Sequence, residues 1–91
     1  LWSRDTKIRN KAKQSLSQTS ALLSKNRSKI SPEAAAVVDS RIEALEAALA
    51  GGNTEDIRRK TDELEGASHD YLSKYAKSKL RQNIEALVLA V

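Results

Sequence analysis

Catalysis needs polar groups that converge, and few places in this sequence could supply them. The single histidine, His69, stands between Ser68 and Asp70. With two more carboxylate or imidazole partners such a group could hold a metal ion or move a proton. His69 falls off the apolar stripe of its segment, however, and its position favours an exposed histidine on a solvated face. Asp62, Glu63 and Glu65 crowd one stretch, but on a helix the three do not all point in one direction. They are expected to solvate the surface or to pair with Arg58, Arg59 and Lys60. Gly51-Gly52 lacks the Lys-Ser/Thr that follows a phosphate-cradling loop. The absence of Cys removes a thiol nucleophile, thiolate metal ligands and disulfides. It fits a reducing compartment, either cytoplasm or organellar matrix. The expectation is a chain that is not an enzyme, with no catalytic residue, metal site or cofactor of its own.

What the sequence does organise is helix. Its 91 residues suffice for one small domain. Ala, Leu, Lys, Ser and Glu dominate, and most of these favour helix over strand. In the first segment Ile8, Ala12, Leu16, Thr19, Leu23 and Ile30 recur at steps of three, four or their sum, with Leu22 beside them. Ser31-Pro32-Glu33 then interrupts. Ser31 suits an N-cap, Pro32 the first helical position and Glu33 the positive helix start. Ala34, Val38, Ile42, Leu45 and Leu49 form a second stripe. Gly51-Gly52-Asn53-Thr54 ends that helix and caps the next. Ile57, Thr61, Leu64, Ser68, Tyr71 and Tyr75 make a third stripe, joined by Leu72, and Gly66 weakens its helix. Leu80, Ile84, Leu87 and Val91 extend the pattern, with a possible bend near Ser73 to Ser78.

These spacings predict an all-α fold. It is a small antiparallel up-down-up bundle of three main helices, near residues 4–30, 33–50 and 54–75, with helix continuing over 76–91 either as an extension of the third or as a short fourth. The expected core is Ile8, Leu16, Leu23, Ile42, Leu45, Leu49, Ile57, Leu64 and Tyr71. Charge is uneven. Residues 1–30 carry net +7, residues 31–66 net −5 and residues 67–91 net +2. The basic first segment is therefore expected to pack against the acidic middle. No Arg-rich cluster with interleaved aromatics points to nucleic acid, and no apolar run is long enough to span a membrane. Trp2 could staple the start of the first helix or contact a neighbouring domain. Ala86 to Val91 is apolar on every face, so it is expected to dock on the bundle or on a second copy. The missing initiator Met suggests a piece of a longer protein.

The order of these features resembles the C-terminal helical lid of DnaK-type chaperones, the seventy-kilodalton heat-shock protein family. The resemblance rests on the Ser-Pro-acid break, on Ala44-Leu45-Glu46-Ala47-Ala48-Leu49-Ala50-Gly51, and on Asn53-Thr54-Glu55-Asp56-Ile57 followed by Glu63-Leu64. Arg9-Asn10 stands where bacterial and organellar members commonly carry an Arg-Asn pair. Roughly residues 8–75 take part. The resemblance implies a lid that closes over an unfolded polypeptide held in a β-sandwich, under control of an ATPase domain. Neither of those other parts lies in this chain. It also implies a lid-contact face on the first helix comprising Lys7, Arg9, Asn10, Lys11, Lys13 and Ser17. Where bacterial members often carry an acid and a His that latch the lid, this sequence holds Lys13 and Ser17. The latch is therefore in doubt or carried by other pairs. The family's eukaryotic cytosolic members end in an acidic motif, whereas the ending Leu89-Ala90-Val91 suggests a bacterial-type or organellar parent, or a truncated piece. The competing reading is a free-standing helical interaction module that binds through its basic first helix or its apolar tail.

Overall fold

The computed structural model describes residues 3–76. They form three α-helices, α1 (Arg4–Asn26), α2 (Pro32–Gly51) and α3 (Thr54–Leu72). Short 3-10 turns follow α1 at Arg27–Lys29 and α3 at Ser73–Tyr75. The fold is the expected small all-α bundle. Trp2 and residues 77–91 lie outside the described residues.

Local chemistry sets each boundary. The Ser3 hydroxyl accepts the Thr6 N–H at 3.2 Å and opens α1. At the other end the Asn26 amide donates to the Leu22 carbonyl at 2.8 Å, one of the last-turn acceptors that a helix leaves unpaired. The expected continuation of the first helix to residue 30 is corrected to a 3-10 turn. Proline disfavours α geometry in the residue before it, and Ile30 and Ser31 are both extended. Ser31 accepts the Ala34 N–H at 3.0 Å, and Pro32 takes the first position of α2. Gly52 closes α2 in the left-handed region with φ +81° and donates its N–H to the Ala48 carbonyl at 3.1 Å. Asn53 then caps α3 by accepting from the Asp56 N–H at 2.9 Å.

The short connections reverse the chain twice. α3 packs along both partners, while α1 and α2 meet less extensively. Two apolar clusters fill the interior. One joins Ala12, Leu45, Ala48, Ile57 and Leu64; the other joins Leu23, Ala35, Val38, Ala67 and Leu72. Ile42 touches both. Of the expected core, Leu23, Leu45, Ile57 and Leu64 are buried, and Ile8, Leu16, Ile42 and Leu49 pack half-buried at its edge. Tyr71 is the exception, at 39% exposed. The inward row of α3 takes a four-residue step from Ser68 and reaches Leu72, which is 0% exposed. The phenol, which keeps a polar end wet, stays at the rim.

Candidate functional site

The outer surface of α1 is built by the same periodicity that buries its inner side. Ala12, Ser15, Thr19, Leu23 and Asn26 point inward. At about 100° per residue, Asn10, Lys13 and Ser17 fall within about a 60° arc on the opposite side. Lys13 and Ser17 are exposed and Asn10 is half-buried. Lys7 and Lys11 occupy a flank. Lys7 is exposed, while Lys11 reaches Glu65 on α3 at 3.4 Å. Arg9 faces another way. Its Nε donates to Asp5 at 3.0 Å and its Nη2 to the Gly52 carbonyl at 2.9 Å. The six residues expected to form one contact face therefore separate. Asn10, Lys13 and Ser17 share the outer row, Lys7 stands beside it, and Arg9 and Lys11 are engaged at the bundle surface with the α2–α3 turn and α3.

Sequence reasoning missed the specific tethers that fix α1. Arg4 pairs with Glu55 at 2.8 Å, and Thr54 donates to Asp5. Arg27 makes two parallel hydrogen bonds to the Asp39 carboxylate, each 3.0 Å. These contacts realise the expected meeting of the basic first segment with the acidic middle. Thr54 and Arg9 beside Asp5 hold its carboxyl below the usual carboxylate range. Arg27 does the same for Asp39, and Arg4 with Arg58 does so for Glu55. Charge asymmetry between segments signalled the seam but not its pairing. Arg9 and Gly52 are 43 residues apart in sequence.

The candidate chemical groups are dispersed. Arg58 pairs with Asp62 at 3.1 Å and Lys60 with Glu63 at 3.6 Å, while Arg59 pairs with Asp56 at 3.0 Å. His69 is exposed. Among the described residues no group of three or more His, Cys, Asp or Glu is placed to hold a metal ion. No helix among them is long and apolar enough to cross a membrane. Among the described residues the outer row of α1 is polar and carries the exposed Lys13.

A family model described as Hsp70 protein matches residues 3–77, most of the chain. The chain belongs to the Hsp70 family. No curated protein and no solved structure matches it. Membership gives this Hsp70 segment a chaperone-related role. It agrees with the family resemblance read from the Ser31-Pro32-Glu33 break and the Ala44 to Gly51 stretch, both of which fall inside the matched region.

Proposed function

We propose that this chain is the helical lid of a DnaK-type Hsp70 chaperone. It closes over an unfolded polypeptide bound in the parent's β-sandwich and slows its release. One observation carries the reading: the region matched to the Hsp70 family folds wholly as a helical bundle among its described residues. Of the three parts that the resemblance implies, an ATPase, a β-sandwich and a lid, the lid is the all-helical one. On this reading ATP is bound and hydrolysed in a domain outside this chain, which itself needs no cofactor. The protein works in the cytoplasm or an organellar matrix.

The outer row of α1 is the surface that would lie towards the sandwich. Lys7 and Lys13 are exposed, and neither makes an ion pair among the described residues. They are available to acidic loops on a neighbouring domain, whereas Lys11 and Arg9 are committed to the bundle.

A lid has to move before its peptide escapes, so its effect falls on the off-rate. In the parent chaperone, deleting this segment is expected to speed peptide release in the ADP state and to leave basal ATP hydrolysis largely intact. The double charge reversal Lys7→Glu with Lys13→Glu should shift release in the same direction, and added salt should shrink its effect. Fluorescence anisotropy of a labelled peptide measures both. Equal off-rates for the parent and the deletion would refute the lid reading.

A further inference from the structure

Arg4, Arg27, Arg58 and Arg59 each lie within 3.2 Å of a carboxylate. Lys29 and Lys74 do not. Both are exposed, and neither makes an ion pair among the described residues. They are not scattered either. Both ammonium groups converge on the ring of Tyr75, at 5.7 and 5.2 Å from its centroid. A ring face attracts a cation, but two cations on one ring also repel each other. The ring is held in place, because the Tyr75 hydroxyl donates to the Lys29 carbonyl at 3.2 Å. That bond ties the turn after α3 to the turn after α1.

Beside this pair a cleft of about 360 Å³ opens between the start of α2 and the end of α3. Lys29 and Lys74 line it, together with half-buried Ile30 and with Tyr71. At 39% exposure, Tyr71 is the one large apolar side chain left open to solvent among the described residues. The cleft therefore sets two uncompensated cations beside an apolar wall. Its one acid is Asp70, which is exposed.

We propose that this cleft docks an acidic peptide segment of a partner protein, with Lys29 and Lys74 taking its carboxylates and Ile30 and Tyr71 an apolar side chain between them. Complementary charge carries the choice of occupant. A uniformly anionic surface, whether membrane or nucleic acid, would set its phosphates against Asp70 as well as against the lysines. A peptide can alternate acidic and apolar residues and so keep its charges off Asp70. The cleft is also concave, which suits an extended segment better than a flat surface. The site is separate from the α1 row that would face the sandwich. Lys7 and Lys13 lie in the first half of α1, and the cleft adjoins its other end. The two readings can therefore fail independently.

A fluorescein-labelled peptide, Glu-Leu-Glu-Glu-Leu-Glu, titrated with the whole chain and followed by anisotropy provides the test. Lys29→Glu and Lys74→Glu should each weaken its binding about fivefold. Arg41→Glu makes the same charge change at an exposed position of α2 outside the cleft. It should alter binding by less than about twofold, because solvent and salt screen a distant charge. Asp70→Asn should strengthen binding about twofold, and Tyr71→Ala should weaken it about threefold through lost apolar contact. The gain at Asp70 is a result that a merely damaged fold would not produce. No saturable binding by the unaltered chain, an equal loss from Arg41→Glu, or indifference to both Asp70→Asn and Tyr71→Ala would overturn the proposal. Binding to phosphatidylglycerol vesicles with none to the peptide would also overturn it, in favour of a lipid surface.

Discussion

Leu64 stands where all three helices meet, in the cluster with Ala12, Leu45, Ala48 and Ile57, and has no exposed surface. Removing three carbons there loses transfer energy and leaves a cavity that its neighbours fill only partly. Leu64→Ala is expected to cost roughly 2–5 kcal/mol. Small domains are held by about 5–15 kcal/mol in total, so the urea midpoint should fall steeply. Tyr71→Ala, one residue short of the buried Leu72, should cost only about 0.5 kcal/mol, as exposed positions do. Urea denaturation of the two variants tests the contrast, and equal losses would mean that the tyrosine is core after all. Leu23, Leu45, Ile57 and Leu64 are legible in the sequence because their spacing admits one helix face and they carry no polar atom. Tyr71 is misplaced by the same reasoning because steps of three and four from Ser68 are both helical. Only the competing position of Leu72 decides between them. The contact face is less legible still. Sequence puts Arg9 and Lys11 on the same helix as Lys13, but only tertiary structure turns them to Gly52 and Glu65.

The helices owe their boundaries to residues with one strong conformational preference, which is why the turns can be read from sequence. Ser31-Pro32 and Gly52-Asn53 fall at the expected breaks, with caps at 3.0 and 2.9 Å. The ends at Asn26 and Leu72 lack such a residue. They depend on the Asn26–Leu22 hydrogen bond and on the Tyr75 hydroxyl, which donates to the Lys29 carbonyl at 3.2 Å. Two glycines give predictions of opposite sign. At Gly52 an added Cβ would meet Arg9 Nη2 only at an ordinary 3.6 Å. The penalty comes instead from φ +81°, and Gly52→Ala should destabilise by about 1–2 kcal/mol. Gly66 lies inside α3, where an added methyl would have nothing within 4 Å of it. There the gain in helix propensity should make Gly66→Ala stabilising by about 0.5–1 kcal/mol. Thermal melts of both variants provide the check, and shifts in the same direction would contradict this account of the α2–α3 turn.

Across the whole molecule, a cationic α1 is held against acidic partners by exposed contacts, and this makes the bundle sensitive to acid. The carboxyls of Asp5, Asp39 and Glu55 all lie below the usual carboxylate range, each because of a hydrogen-bonded partner. A folded-state value below the unfolded one gives stability that is present above the unfolded pKa, near 4. That stability is lost as pH falls through the folded value. Stability should therefore be nearly level from neutral pH to about 5 and decline below about 4. Repulsion reinforces the decline, because neutralising all twelve acids leaves a charge of about +17 on the sixteen Lys and Arg and the one His. The pairs are exposed, so each adds little individually and salt weakens it. Arg27→Gln isolates one of them. Carboxyl titration by NMR should find that the Asp39 midpoint rises towards the ordinary value near 4, while Asp5 and Glu55, at the other end of α1, keep theirs. The acid limb of the stability curve should shift to higher pH in the same variant, because less of the native state's preference for ionised carboxylates remains. An Asp39 midpoint indifferent to the loss of Arg27 would show that the two parallel 3.0 Å hydrogen bonds do not persist in solution.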